Sequence, residues 1–268
     1  MLSDYVRRER PDEKDEDVVE RSAVGIRLNG YAIGEMPRLS AATSVELTAL
    51  SVTAPSAFLK ALRADMDELT GGIPMSAHSA SIAASFAAGS LLPTMPDYVL
   101  CDIGGETTEL LLVLEHIPAA RATFALGSNL FPRTLQAHAG LGAAEISSAM
   151  RLAKEKKSPM REKLGGTFVS AEREYGKAFS QALRQLSQAG GNAPVIYLLC
   201  EEGLQHWLSR AVEGSGLVPP PEIRAVDAEM FGAYLLRTPS AEDVPLSLYA
   251  LFADARFDER RAFNFKLT

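Results

Sequence analysis

The residues best suited to chemistry lie in one short run, Cys101-Asp-Ile-Gly-Gly-Glu-Thr-Thr108, between two apolar stretches. A carboxylate such as Asp102 at the end of a buried strand is desolvated unless something pairs with it. Gly104 and Gly105 let the backbone take positive φ and turn its N–H groups into one concavity, a nest that suits phosphate. Thr107 and Thr108 add hydroxyl donors at nearly the same place. Asp102 beside such a nest is positioned to hold magnesium, which bridges carboxylate, water and phosphate oxygens. The same residues also make an ordinary tight hairpin, with Asp102 accepting turn N–H groups and the threonines serving as β formers. Both readings stand on the residues alone. Glu106, inside the turn, has three: it fills the nest against phosphate, points outward, or supplies a second magnesium ligand.

The elements that must position this run are legible around it. "DYVLCDI" and "TTELLLVLE" read as two strands joined by the glycine turn, and "AARATFALG" as a third after a connection around Pro118, giving a three-strand meander. Residues 128–157 and 167–189 read as helical, separated by the breaker-rich "KSPMREKLGG". "APVIYLLC" is a continuous apolar strand, followed by the helix "EEGLQHWLSRAVEG". "LVPPPEIRAV" leads through a Pro-bounded loop into a short strand, and "DAEMFGAYLLRT" and "EDVPLSLYALFADA" read as helical.

Upstream, Asn29-Gly30 is a type I′ hairpin signal between two short strands, and "TSVELTALSVTA" is a third strand. Pro55 opens a helix whose Phe58, Leu62, Met66 and Leu69 recur at helical spacing before Gly71-Gly72. "IPMSA" is strand-like, and "SASIAASFAAGSLLP" is a small-residue helix able to pack closely on a sheet.

Residues 4–20 are dominated by charges of mixed sign and read as a solvated tail. The ending "RRAFNFKLT" alternates apolar and polar residues and reads as an edge strand or a flap on the body, with Arg256, Arg260 and Arg261 able to touch an anionic surface.

The whole chain of 268 residues is 47% hydrophobic, enough for a sizeable core, and its net charge of −7 disfavours a nucleic-acid partner. Two cysteines, Cys101 and Cys200, give no disulfide framework and no zinc spacing, and the four histidines form no metal-ligand pattern. No run reaches transmembrane length and the N-terminus is not signal-like, so the sequence reads as cytoplasmic.

The run from Cys101 to Val113 resembles the second phosphate-binding hairpin of the actin, sugar-kinase and heat-shock ATPase superfamily, whose pattern is Asp-x-Gly-Gly-Gly-Thr-Thr-Asp/Glu. More narrowly, the chain resembles the FtsA/PilM branch. Residues 29–62 resemble that branch's small insertion module, 76–89 the helix leading into the ATPase half, 122–140 the segment after the hairpin, and 193–212 the adenosine-binding strand, loop and helix. The resemblance runs in order over about residues 18–237.

It implies an α/β fold: an actin-like ATPase half with a mixed central sheet flanked by helices, plus a small strand-helix-strand module. The implied divisions are a charged tail at 1–20, the insertion module at 21–77, the ATPase-type half at 78–240 with a helical subdomain at about 128–190, and a C-terminal helix and tail at 241–268. It also implies ATP and magnesium as ligands. Asp102 would stand near the magnesium, acting through water; Gly104, Gly105, Thr107 and Thr108 would line the phosphates; Gly127 would open the next turn; Gly203 would lie near the adenosine.

Three departures bear on activity. Nothing before Ser22 supplies the family's first phosphate hairpin, so the first ATPase subdomain is expected to be missing, truncated or encoded elsewhere. Glu106 stands where the family has its third glycine. Cys200-Glu201-Glu202-Gly203 stands where the adenosine loop carries a glycine pair. The implied function is therefore a scaffold in cell division or type IV pilus assembly at the inner face of the membrane, with a reduced or lost ATP site and little or no ATPase turnover. Its implied partners are division or pilus-assembly proteins, with peripheral membrane contact and self-association also open. The alternatives are an ATP-binding relative whose cleft is completed by a missing N-terminal segment, a sugar or acid kinase, and an α/β module of unknown ligand.

Overall fold

The computed structural model describes residues 16–33, 42–73, 76–92, 94–155, 158–191, 194–215, 221–232, 234 and 244–257. The charged segment 1–15 and the C-terminal "RRAFNFKLT" lie outside the described residues. So does most of residues 233–243. The chain divides into two compact units, one reaching to Ala83 and the other running from Ala84 to Ala262.

The first unit holds a three-stranded antiparallel sheet of order β2-β1-β3, with β1 at Glu16–Leu28, β2 at Tyr31–Ile33 and β3 at Val45–Pro55. β1 starts at Glu16, inside the segment whose mixed charges read as tail. Its charged residues are accommodated because β1 and β3 pair over their whole length, from Glu16↔Pro55 to Leu28↔Val45. Asn29 and Gly30 take φ of 52° and 85°, which closes the β1–β2 hairpin with Leu28 opposite Tyr31.

Helix α1, Ser56–Thr70, follows Pro55 and stops at Gly71 in the left-handed region. Its inward residue is Leu59, whereas Phe58, Leu62 and Leu69 are exposed. The apolar spacing thus marks the helix, while of its residues only Leu59 is buried. Ile73, Ser76 and Ala77 of the strand-like "IPMSA" are in no strand.

The second unit is built on a five-stranded mixed sheet of order β6-β5-β4-β7-β8. Its strands are β4 (Tyr98–Ile103), β5 (Thr108–Leu114), β6 (Ile117–Phe124), β7 (Val195–Leu199) and β8 (Glu222–Ala225). β4, β5 and β6 are the antiparallel meander; β7 and β8 join parallel to β4. Alternation splits the strand residues between two cores. Val99, Cys101, Ile103, Leu110, Leu112, Ile196, Leu198 and Cys200 face helices α3 (Leu130–Ala139), α4 (Ala143–Ala153), α5 (Pro159–Gly190) and α6 (Glu202–Glu213). Tyr98, Leu100, Leu111, Val113, Val195, Tyr197 and Leu199 face the small-residue helix α2 (Ala80–Leu91) and α7 (Val244–Phe257).

Two local expectations are corrected here. The β5–β6 turn is Glu115-His116, both at positive φ (52° and 65°), and Pro118 lies inside β6. β6 is an edge strand, where a residue without N–H is tolerated. The "KSPMREKLGG" separator is instead the start of one 32-residue helix, α5. Ser158 caps it by accepting from the Met160 N–H at 3.2 Å, Pro159 takes the first position, and the helix continues through Gly165-Gly166. Two helical glycines cost about 1 kcal/mol each. Burial of the flanking Leu164 and Phe168, the latter stacked on Trp207 at 3.9 Å, offsets that.

Candidate functional site

The candidate site lies at the C-terminal ends of β4 and β7, which pair in parallel with Asp102 opposite Leu199. The chain leaves β4 into the four-residue turn Gly104–Thr107, closed by the Gly104 N–H donating to the Thr107 carbonyl at 3.0 Å. It leaves β7 through Cys200 and Glu201 into α6.

Neither Gly104 nor Gly105 has positive φ, so the turn does not use the conformational freedom expected of them. Glycine is required instead by close approach. The Ser128 and Asn129 N–H groups, at the entry to α3, donate to the Gly104 and Gly105 carbonyls at 2.8 and 2.9 Å. A Cβ on Gly127 would meet those two carbonyl oxygens at 2.3 and 2.5 Å, and a Cβ on Gly105 would meet Asn129 Nδ2 at 2.9 Å. Gly104, Gly105 and Gly127 are thus brought together, as two loops in backbone contact.

Asp102 and Thr108 are not brought together. Asp102 follows Tyr98 and Leu100 on the face toward α2 and α7, while Thr108 is fully buried on the opposite face. The Thr108 hydroxyl donates to the Leu126 carbonyl at 2.8 Å and lies 2.9 Å from the Tyr175 hydroxyl. Its single proton being committed, Tyr175 is the donor in the second bond. Thr108 therefore locks the hairpin onto α5. Thr107 remains exposed in the turn. Gly203 sits exposed in the first turn of α6, with Glu201 Oε1 3.6 Å from where a Cβ would stand.

Among the described residues, no side-chain hydrogen bond or ion pair reaches Asp102. Its carboxyl is pushed up to about 6, first by burial and then by Glu109, which stands opposite it in the β4–β5 register. Glu109 has Arg121 3.6 Å away. A half-buried carboxylate lacking a partner fits a water-bridged cation. No group of three metal-ligating side chains exists among the described residues.

Glu106 points outward, one of the three orientations its sequence left open. Arg133 Nη1 donates to Oε2 at 2.6 Å, Arg133 Nη2 to Oε1 at 2.5 Å, and Asn129 Nδ2 to Oε1 at 2.8 Å. Those bonds, that from Asn129 first, hold the carboxyl below its usual range.

Cys101 and Cys200 are free and buried, Cys101 within β4 and Cys200 just past the end of the neighbouring β7. Burial pushes the Cys101 thiol well up, and pushes Cys200 up to about 12 with Glu201 and Asp102 adding to it. Sequence reasoning missed Asn129, Arg133 and Tyr175. The Asn129/Arg133 pair carried a signal, a polar residue just before a helix and a cation four residues on, on the same face.

No family model matches the chain, and no curated protein matches it. Solved structures do. The chain is similar to PilM in the "PilM-PilN type IV pilus biogenesis complex", with TM-score 0.63 and 16% identity over 94% of this chain and 70% of that one. It also matches the ethanolamine utilization protein EutJ from Carboxydothermus hydrogenoformans (TM-score 0.41, 12% identity, 62% and 54% covered). MreB 5 of Spiroplasma citri, bound to AMPPNP, matches at TM-score 0.42 and 14% identity, with 76% and 65% covered. The mixed α/β architecture, a central mixed sheet flanked by helices, is shared with that PilM structure.

Proposed function

We propose that this chain is a PilM-like, actin-fold scaffold for bacterial pilus-assembly or cell-division proteins, with a reduced nucleotide site. Its likeness to PilM along most of its length favours the pilus branch over the FtsA branch. The observation that carries the reading is the Glu106 clasp. At the third-glycine position of a phosphate hairpin stands a carboxylate, fixed to the following helix by the protein's own donors. A turn held this way keeps its shape without nucleotide, which is what a scaffold needs. Among the described residues no helix is long and apolar enough to cross a membrane.

Asp102 favours a second reading, an ATP-binding protein. Its unpartnered carboxylate would gain most from magnesium carried in with a nucleotide, and Gly203 leaves room beside the first turn of α6. Magnesium there would screen phosphate charge; Asp102 would orient its water shell.

Capture of a PilN-like protein from the same organism by the purified chain, without added nucleotide, tests the scaffold reading. Calorimetry with Mg-ATP tests the second. Micromolar nucleotide binding by this chain alone would overturn the scaffold-only version.

A further inference from the structure

We infer that the outer edge of β3 is a self-association surface, where two copies of this chain pair β3 against β3 in antiparallel and make one six-stranded sheet. This surface lies wholly within the first unit and plays no part in the nucleotide site.

β3 runs over 11 residues, Val45–Pro55, with Glu46 as its one charge and its one proline at the last position. β1 pairs along one side of it over that whole length. Among the described residues nothing pairs along the other side, because the sheet order is β2-β1-β3. That side is a row of unpaired N–H and C=O groups, a template for another strand. It is also uncovered. Val45 and Leu47 are 60% and 45% exposed, and Glu46, Thr48, Ala49 and Ser51 are exposed as well. An edge that is exposed, nearly uncharged and free of interior proline or glycine is the kind that pairs with another chain.

The opposite side of the same sheet carries the devices that β3 lacks. β1 has five charged residues among its 13, Glu16, Asp17, Glu20, Arg21 and Arg27. Register shifts leave Val19 and Val24 as extra residues on β1, bulges that interrupt its ladder and twist its edge, whereas no residue is inserted in β3. Beyond β1, β2 is only three residues long. Charges, bulges and short strands are the means by which proteins keep sheet edges from pairing. One edge is guarded and the other is left open.

A second copy fits the open edge. Antiparallel overlap centred on Leu50 puts Glu46 opposite Ala54 of the other copy, so the one charge meets no like charge. Thr48 then faces Val52, and Ala49 faces Ser51. Two strands of 11 residues in full overlap exchange about ten backbone hydrogen bonds, as many as a typical specific interface holds. The pairing also closes. It consumes the unguarded edge of each copy and leaves the guarded sides outermost, so the product is a twofold dimer rather than a fibre.

The test is sedimentation equilibrium of the full chain across the micromolar range. The variants are Ala49→Lys/Ser51→Lys and Ala49→Glu/Ser51→Glu. Both positions are exposed, so the folded monomer accommodates either pair. The unsubstituted chain should dimerise at micromolar concentration. Each double variant sets two like-charge pairs across the twofold axis and should need at least about tenfold more protein to dimerise. An equimolar mixture of the two variants, whose charges are opposite, should dimerise again, which also shows that neither has lost its fold. Amide exchange in residues 45–55 should slow as the unsubstituted chain is concentrated. A chain that stays monomeric to hundreds of micromolar overturns the inference, as does a dimer that both variants leave intact, or a mixture that remains monomeric.

Discussion

Thr108 Oγ1 and Tyr175 Oη lie 2.9 Å apart inside the core, joining the candidate hairpin to the longest helix of the molecule. Tyr175 donates to Thr108, whose own hydroxyl donates a hydrogen bond to the Leu126 carbonyl. The hydroxyl expected to line a phosphate is thereby a structural tie. Tyr175→Phe should cost about 1–2 kcal/mol in chemical denaturation, one buried hydrogen bond. Thr108→Val should cost more, because it removes the hydroxyl that serves both Tyr175 and the Leu126 carbonyl. An unchanged midpoint in both variants would contradict this role.

Gly127 is fixed by contact rather than by dihedral angle. Alanine there would push a methyl group to 2.3 Å from the Gly104 oxygen and 2.5 Å from that of Gly105. Both obstacles are backbone, so the two loops must separate. Gly127→Ala should destabilise the chain by about 2–4 kcal/mol, in the range of severe overpacking. It should also break the Ser128 and Asn129 hydrogen bonds, which amide exchange at those two residues would register. Alanine at the helical Gly165, where a Cβ meets nothing within 4 Å, is the control and should be neutral or mildly stabilising.

Asp102 sets a pH dependence with a definite sign. Its folded carboxyl titrates at about 6, against 3.8 for the free group, so the native state holds the proton more tightly than the unfolded chain. Its contribution to stability is present below about pH 4 and lost as pH rises through about 6. Asp102→Asn should therefore leave stability near pH 4 almost unchanged and raise it at pH 7.5, by at most about 3 kcal/mol. Denaturation curves at the two pH values measure the difference. Equal effects at both would show that charge at Asp102 is not what costs stability.

Cys101 and Cys200 should behave as inert core thiols. Burial raises both, and the thiolate is the reactive form. An aromatic disulfide reagent at pH 8 should label neither in the native chain and both after unfolding. Rapid labelling of the native protein, or a disulfide on mild oxidation, would revive a redox role.

What could be read from the sequence was mostly what local chemistry decides. Asn29-Gly30 placed one hairpin, apolar runs joined at the glycine turn placed the meander, and a continuous apolar run placed β7. What was missed depended on geometry carried across turns. The turn between β4 and β5 determines which face Thr108 takes, and residue counting along either strand cannot carry parity through it. Gly165-Gly166 read as a break because the packing of Phe168 on Trp207, which overrides their propensity, is a contact between distant segments. The buried side of α1 was not legible for a related reason. Spacing shows that a helix has an apolar side, while its partners decide that Leu59 and not Phe58 is buried. Within the site, Asp102, Gly104 and Gly105 were singled out from their types and Gly127 from the resemblance, but the Glu106 clasp required knowing that Asn129 and Arg133 lie against the hairpin.

The measurement that bears most directly on the central proposal is binding of the full chain to a PilN-like protein from the same organism, by biolayer interferometry with and without Mg-ATP. A scaffold with a reduced nucleotide site predicts micromolar or tighter binding that changes less than twofold when Mg-ATP is added. No binding to the partner, together with micromolar Mg-ATP binding and measurable ATP hydrolysis by the chain alone, would contradict it.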